Sequence, residues 1–283
     1  TLGNGSNDVL ELVARAFLGP GLSAVFSEHA FAVYPIVTQA VGAAARIAPA
    51  QDGQRGPRYG HDLDAMCARI DETTRVVFIA NPNNPTGTHF SSAQLETFLK
   101  AVPATTLIVI DEAYFEYVQD PDYPDALDFL AHHPNLLVTR TFSKAYGLAG
   151  LRVGYSVSSP EIADLLNRVR QPFNVNLPAL EAARAALLDS EHLKRTVAQN
   201  LEGLDFLRVE LASRGYGLIP SVGNFLSFDL GCDAQPIYEA LLRQGVIVRP
   251  IANYGLSQHL RVTVGLQQEN RAFLEALDRV MAA

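Results

Sequence analysis

Lys144 has the most distinctive position among the residues that could do chemistry. The chain contains three lysines and 19 arginines, and the other two lysines, Lys100 and Lys194, lie in polar helical patterns. Lys144 instead follows the apolar run 136–138 and precedes a glycine-spaced apolar segment. A strand that ends before Lys144 would bring its amine to the carboxyl edge of a sheet, where open α/β folds bind ligands. A lysine in this place indicates an amine that can lose its proton and attack a substrate or cofactor.

Polar residues also follow two other predicted strands. The segment 81–87, NPNNPTG, comes directly after the predicted strand 75–80. Its prolines and glycine are typical of an ordinary turn, or they hold Asn84 so that it donates a hydrogen bond to a ligand. Asp111 ends a fully apolar strand, where a carboxylate is unfavourable without a cationic partner, although capping of the next turn is the alternative. Tyr114 would direct its hydroxyl into the same crevice.

A third segment, 3–8, reads GNGSND and precedes a predicted helix over 8–18. Backbone N–H groups at a helix N-terminus bind phosphate readily. Taken alone, however, the segment is more simply explained as a helix cap with flexible glycines, because it lacks a third glycine and a visible preceding strand.

Hydroxyl groups and an arginine surround Lys144 in the sequence. Thr141 and Ser143 come just before it, and Arg152 follows eight residues later, which is a suitable set for a phosphate. The Ser143–Lys144 pair alone would also suit a hydrolase dyad, but neither the S-x-x-K spacing nor a G-x-S-x-G motif is present. A buried structural lysine is the remaining alternative.

Together these groups match the parts of a single ligand. They offer a phosphate site, a carboxylate for a protonated ring nitrogen, two donors for a phenolic oxygen and an amine for an aldehyde. Pyridoxal 5'-phosphate has all four features, and a carboxylate facing its pyridine nitrogen is the expected electronic partner. The sequence therefore predicts pyridoxal 5'-phosphate as the cofactor.

The elements that must position these residues alternate along the chain. Several predicted strands are apolar at every residue, which is typical of parallel strands covered on both faces. After residue 172 a long helical region, 178–214 with a break near 189, precedes shorter strands and helices. The predicted fold class is α/β, a doubly wound, mostly parallel sheet over residues 1–172, with a smaller C-terminal α+β domain over 173–283. The predicted strands are 24–26, 45–48, 75–80, 107–111, 136–140, 153–157, 225–230, 246–248 and 260–264; the predicted helices outside the long region are 8–18, 34–44, 62–70, 91–101, 235–244 and one from 267.

The composition limits the kinds of partner and the cellular compartment that we expect for this protein. The net charge of −8 argues against nucleic acid or an anionic membrane as the main partner. An apolar run of about 18 residues, as a spanning helix needs, is absent from the sequence. The two cysteines are far apart and the histidines lack zinc spacing, so we expect no metal, no disulfide and a cytoplasmic protein. The chain begins inside a motif without an initiator methionine, so we expect its natural beginning to be missing.

Three long motifs connect the chain to a known family. NPNNPTG, DEAY at 111–114 and TRTFSKAYGLAGLRVGY at 139–155 resemble the signatures of class I/II aminotransferases of fold type I. Within that group the chain is most similar to the histidinol-phosphate aminotransferases, which PFNVN at 172–176 and the segment 245–265 also resemble. The resemblance extends over essentially all 283 residues.

The resemblance implies roles for particular residues. Lys144 would bind the cofactor covalently and then act as the base, and Asp111 would pair with the pyridine nitrogen. Asn84 and Tyr114 would bond the ring oxygen, and Phe31 would stack on the ring, unless it is only a core phenylalanine. The implied phosphate ligands are Ser6, Asn7, Thr141, Ser143 and Arg152.

Two arginines would bind the substrates. By the same resemblance, Arg261 matches the arginine that binds a substrate carboxylate, and Arg249 matches a second arginine used for a substrate phosphate. The alternative is that both form ordinary surface salt bridges.

The implied reaction is transamination between a small amino donor and a 2-oxo acid. It would convert histidinol phosphate and 2-oxoglutarate to imidazole acetol phosphate and glutamate, in histidine biosynthesis, within a homodimer. Family members also carry an N-terminal arm that covers the substrate. The alternatives are an aromatic amino-acid aminotransferase, a phosphothreonine decarboxylase-like enzyme and, from another class, the aminotransferase-like effector domain of a transcriptional regulator. The regulator would need a winged helix-turn-helix segment and a basic face, and neither is visible.

Overall fold

The N-terminal part of the chain forms a seven-stranded sheet in a computed structural model that describes residues 1–282. The strand order is β1-β7-β6-β5-β4-β2-β3. The strands from β2 to β6 pair in parallel, whereas β7 is antiparallel to β6 and β1 is antiparallel to β7. The prediction of a doubly wound, mostly parallel sheet is confirmed. The strands are β1 (Leu2–Gly3), β2 (Ser23–Ser27), β3 (Ala44–Ala48), β4 (Thr74–Ala80), β5 (Leu107–Asp111), β6 (Leu136–Thr141) and β7 (Gly154–Ser158).

Helices cover both faces of this sheet because its central strands are apolar on both faces. Residues 76–79 of β4 are fully buried, with alternate side chains in two separate cores. One core packs under α1, α2 and α5, and the other under α3 and α4. The helices are α1 (Ser6–Phe17), α2 (Val33–Ala40), α3 (Leu63–Cys67), α4 (Ser92–Ala101) and α5 (Pro160–Val169).

The C-terminal part contains a second sheet. Its four strands are antiparallel in the order β10-β11-β9-β8. Two long helices lead to it, and the predicted break between them is at Asp189, whose carboxylate accepts the backbone N–H of His192 at 2.9 Å. The division into domains at residue 172 stays a prediction. The elements are α6 (Leu177–Leu188), α7 (Ser190–Ser213), β8 (Gly217–Ile219), β9 (Phe225–Asp229), α8 (Ala234–Arg243), β10 (Arg249–Ile251), β11 (Leu256–Thr263) and α9 (Gln267–Met281).

The predicted strand at 246–248 was wrong, because the strand lies at Arg249–Ile251. The Val246 N–H bonds to the Leu241 carbonyl at the end of α8, and the Ile247 side chain is 82% exposed. β-Branched residues favour strands, but pairing with β11 begins only at Arg249.

Among residues 1–282, every helix is too short or too polar to cross a lipid bilayer. In the same range there is no group of three or more His, Cys, Asp or Glu side chains placed to hold a metal ion.

Candidate active site

A pocket of about 630 Å³ lies at the carboxyl ends of β4, β5 and β6. The strand register aligns Ala80 with Asp111 and Asp111 with Thr139, so the three strands end at one level. We call this cavity the sheet-edge pocket. All ten residues predicted from the sequence to hold a cofactor line it, although their individual roles stay predictions: Ser6, Asn7, Phe31, Asn84, Asp111, Tyr114, Thr141, Ser143, Lys144 and Arg152.

The carboxylate of Asp111 is buried and held by two hydroxyl groups. Tyr34 Oη donates to Oδ2 at 3.2 Å, and Thr139 Oγ1 donates to Oδ1 at 3.0 Å. Burial raises the pKa of Asp111 to about 6, and these hydrogen bonds and the nearby Lys144 amine counteract that rise. Asp111 therefore carries a charge at neutral pH that can balance a protonated ring nitrogen.

The Lys144 amine lies in the loop after β6, among groups that favour its neutral form. Its Nζ lies 5.4 Å from the centroid of the Tyr114 ring. Burial is the main cause that lowers its pKa, and the positive charges of Arg261 and Arg152 lower it further against the opposing effect of Asp111. A lowered pKa increases the fraction of free amine, which is the form that acts as nucleophile or base.

The N-terminus of α1 and the side chain of Arg152 form an anion site on one wall. Gly5 has a φ of 84°, and a Cβ at this position would collide with the Arg152 guanidinium. Arg152 Nη1 donates to Ser143 Oγ at 3.4 Å and to the Ala149 carbonyl at 3.0 Å. The helix dipole, the free N–H groups of Ser6 and Asn7 and the arginine all favour a bound phosphate.

The expectation that no strand precedes this helix was wrong. Leu2 and Gly3 form β1, which pairs with Tyr155 and Gly154 of β7. A two-residue edge strand is too short for any periodic signal in the sequence. The chain therefore enters α1 from a strand, as phosphate-binding turns of α/β folds do.

Asn84 and Arg261 connect the sheet-edge pocket to the C-terminal sheet. Arg261 Nη1 donates to Asn84 Oδ1, which leaves the Asn84 amide N–H groups free to donate to a ligand. The Arg261 guanidinium lies 5.0 Å from the Phe225 ring, and Phe225 packs edge-on against Tyr114 at 5.2 Å. Burial raises the pKa of Tyr114, so its hydroxyl stays protonated and can also donate.

The loop that carries Asn84 is bonded directly to the C-terminal part. Ser227 Oγ donates to the Pro85 carbonyl at 2.6 Å, and the Val222 N–H donates to the Gly87 carbonyl at 3.1 Å. Gly87 has a φ of 80°, and a Cβ there would collide with Ser221. The C-terminal part therefore fixes the loop at Pro85 and Gly87.

Arg249 and Arg261 lie together outside the sheet-edge pocket. They face each other across the β10–β11 pair and line a second cavity of about 1210 Å³. We call this cavity the arginine groove; the Arg249 side chain is exposed in it, and Gln235 and Tyr238 of α8 form another wall. Of the two arginines, Arg261 is the one that also contacts a residue of the sheet-edge pocket.

Sequence reasoning missed Tyr34 and Thr139, the two residues that bond Asp111. Both had a detectable signal. Tyr34 lies in the first turn of α2, only three residues after Phe31, and the two rings pack with an interplanar angle of 89°. Thr139 precedes Thr141 by two residues on β6, which places both on the same side of the sheet.

The side chains of the sheet-edge pocket fit the cofactor predicted from the sequence. A buried carboxylate can pair with the ring nitrogen, and an amine of lowered pKa can react with the aldehyde. A helix N-terminus together with an arginine can bind the phosphate. Phe31 forms part of the lining and can face an aromatic ring.

The chain is similar over its whole length to known aminotransferases. A histidinol-phosphate aminotransferase 2 of Pseudomonas fluorescens is 63% identical over 282 residues, which is 100% of this chain and 75% of that protein. The corresponding protein of Methylococcus capsulatus is 62% identical, over 99% of this chain and 76% of its own. The crystal structure of histidinol-phosphate aminotransferase from Sinorhizobium meliloti, in complex with pyridoxal-5'-phosphate, superposes with a TM-score of 0.92 at 29% identity, covering 100% of this chain and 76% of that one.

The family model described as aminotransferase class I and II matches residues 1–277. This match includes the sheet-edge pocket, the arginine groove and α9 as far as Leu277. The chain therefore belongs to the class I and II aminotransferase family.

Proposed function

We propose that this protein is a pyridoxal-phosphate-dependent transaminase. It transfers the amino group of histidinol phosphate to 2-oxoglutarate and yields imidazole acetol phosphate and glutamate. The observation that carries the proposal is the Lys144 amine of lowered pKa in one pocket with the Asp111 carboxylate. The names of the relatives at 62–63% identity support histidinol phosphate as the donor.

Each group of residues in the sheet-edge pocket would have a separate role in the reaction. Pyridoxal phosphate, when bound, supplies an electron sink beside the carbon that bears the amino group. Lys144 Nζ would take the proton from that carbon, because burial and the nearby charges of Arg261 and Arg152 lower the pKa of its amine. Asp111 would stabilise the protonated ring nitrogen, and Asn84 and Tyr114 would hold the ring by donating to its oxygen. The α1 N-terminus and Arg152 would hold the phosphate.

The arginine groove would select the substrates. Arg249, which is exposed and opposite Arg261, would bind the phosphate of the donor, whereas Arg261 would bind a carboxylate of 2-oxoglutarate. Arginine suits both groups because its planar guanidinium forms paired hydrogen bonds with carboxylate and phosphate oxygens.

We further propose a cytoplasmic homodimer with a domain boundary near residue 172. Apolar side chains near that boundary support a partner surface, since Phe173 is 97%, Leu177 69% and Leu188 80% exposed. Cys67 and Cys232 are both free thiols, which is consistent with a reducing compartment.

A donor panel tests the proposed function. The measurement is kcat/KM for histidinol phosphate, phenylalanine and tyrosine with 2-oxoglutarate as acceptor, together with the release of CO₂ from phosphothreonine. We expect histidinol phosphate to be preferred. A preference for the unphosphorylated aromatic donors, or CO₂ release without amino transfer, would replace the proposed substrate and leave the cofactor assignment intact.

A further inference from the structure

We propose that Tyr34 is a positioning residue of the cofactor site, which fixes Asp111 through its hydroxyl and Phe31 through its ring. The inference rests on the proposed function, because it concerns the residues that would face the cofactor. Tyr34 does not line the sheet-edge pocket itself, and it acts through the two residues that do.

The hydroxyl of Tyr34 completes a pair of donors around Asp111. Tyr34 Oη bonds to one carboxylate oxygen at 3.2 Å, and Thr139 Oγ1 bonds to the other at 3.0 Å. The donors come from different elements, α2 and β6, so the carboxylate that ends β5 is held from two directions. Rotation about its last side-chain bond would break both hydrogen bonds, and the orientation of the carboxylate is therefore fixed.

The ring of Tyr34 connects this carboxylate to the wall on which a cofactor ring would stack. It is fully buried and stacks on Phe78 with centroids 5.0 Å apart and an interplanar angle of 9°. It also meets Phe31 edge-on, with centroids 5.8 Å apart. Thr38 Oγ1 bonds to the Tyr34 carbonyl at 2.7 Å, one helical turn later. One rigid side chain thus sets the positions of both Asp111 and Phe31.

Charge explains why the hydroxyl matters for Asp111. The titratable groups that face this carboxylate are Tyr34 from α2, Lys144 from the loop after β6 and Tyr114 from the turn after β5. Burial opposes ionisation of Asp111, whereas hydroxyl donors stabilise the ionised form. Burial also raises the pKa of Tyr34, so its hydroxyl keeps its proton and remains a donor. Removing this donor leaves Asp111 harder to ionise.

The test is the affinity of the cofactor-free protein for pyridoxal 5'-phosphate as a function of pH. The Tyr34→Phe variant keeps the ring and removes the hydroxyl. We expect its dissociation constant to rise about tenfold near pH 6 and less at pH 8, because a hydrogen bond to a charged group is lost and protonation of Asp111 begins at higher pH. Thr139→Val should shift the profile in the same direction, since it removes the other donor.

Two controls separate positioning from general damage. Tyr216→Phe also removes a hydroxyl from a ring packed edge-on against a phenylalanine, Phe228, and we expect it to bind like the wild type. In an Asp111→Asn background, Tyr34→Phe should have no further pH-dependent effect.

The proposal is overturned if Tyr34→Phe binds like the wild type at every pH, or if it weakens binding equally in the Asp111→Asn background. A Tyr34→Phe chain that no longer folds, by circular dichroism, would contradict it as well, since the hydroxyl would then serve stability. If the wild type itself neither binds the cofactor nor transaminates, it is the proposed function that fails.

Discussion

The sheet-edge pocket and the arginine groove are built in different ways. In the pocket the polar groups are already engaged, since Asp111 accepts two hydroxyl donors and Arg152 bonds to Ser143 and to a backbone carbonyl. In the groove, Arg249 is exposed, and its neighbour Arg261 has a buried Nε atom without a hydrogen-bond partner in the structure.

This difference indicates which cavity is organised before the substrate arrives. Preorganised groups stabilise charge without reorganisation during the reaction, which suits a permanently bound cofactor. A bound anion can accept from the unused Nε of Arg261 and replace the water around Arg249, which suits substrates that alternate in one site. Substitutions in the pocket should therefore affect the chemistry, and those in the groove should affect substrate binding.

The largest effect is expected from Lys144→Ala. We expect kcat to fall by about 10³-fold or more, because the base and the attachment point for the cofactor are both removed. The visible absorbance of the bound cofactor should change at the same time. Lys100→Ala is the matched control, since Lys100 forms an exposed ion pair with Glu96 at 2.6 Å. Near wild-type turnover in Lys144→Ala would refute the assignment of the pocket.

The free energy of unfolding should depend on pH because the Asp111 carboxylate is buried. Asp111 has a folded-state pKa of about 6 against an ordinary value of 3.8. Its contribution to the free energy of unfolding is therefore fully present below pH 3.8 and is lost as the pH rises through about 6. In the cofactor-free protein, Asp111→Asn should raise the free energy of unfolding by about 3 kcal/mol at pH 8 and change it little near pH 4.

Urea unfolding at pH 4, 6 and 8 measures this difference. Arg249→Gln in the exposed groove serves as the comparison, and we expect its effect on stability to be independent of pH. If the difference in the free energy of unfolding between Asp111→Asn and the wild type stays constant with pH, burial in the pocket does not disfavour the charged form of Asp111.

Arg261→Ala should affect substrate binding more than cofactor binding. We expect kcat/KM for 2-oxoglutarate to fall about 100-fold, because a charge-assisted contact to a carboxylate is lost, while the cofactor absorbance remains. Arg271→Ala is a matched control, since Arg271 also lies over a phenylalanine ring, Phe206, at 5.8 Å. Complete loss of the cofactor from Arg261→Ala would mean that the groove and the pocket do not act separately.

The smallest effect is expected from Arg249→Gln. We expect KM for histidinol phosphate to rise about tenfold, with kcat and the KM of unphosphorylated donors nearly unchanged, because only a partly solvated phosphate contact is removed. Arg243→Gln, an exposed arginine in the last turn of α8, is the control. An equal rise in KM for donors without a phosphate would assign Arg249 to another part of the substrate.

The sequence predicted the sheet-edge pocket better than the elements of the C-terminal sheet. Apolar strands such as β4 and β5 have strong local signals and end in polar motifs, so their carboxyl edges could be aligned without coordinates. The position of β10 depends on pairing with β11, and the residues that favour a strand locally, 246–248, are not the ones that pair. Local propensity cannot decide such a register.

The partners of Asp111 and Arg261 were harder to predict, because they lie far from these residues along the chain. Tyr34 and Asp111 are 77 residues apart, and Arg261 and Asn84 are 177 apart. Sequence motifs identify side chains that face a ligand. The residues that hold those side chains by hydrogen bonds belong to helices and strands without such motifs. Both arginines were predicted to bind substrates, which stays a prediction, and the groove that they share became visible only with the fold.

The loop 81–87 has a consequence for chimeric proteins. Its Pro85 and Gly87 carbonyls accept hydrogen bonds from Ser227 and Val222, and Gly87 leaves no room for a Cβ next to Ser221. If this loop were grafted from a relative without the residues that contact it, those hydrogen bonds and the close packing at Gly87 would be lost. Residues 81–87 should therefore be exchanged together with 221–222 and 227, although more than 100 positions separate the loop from these residues in the chain.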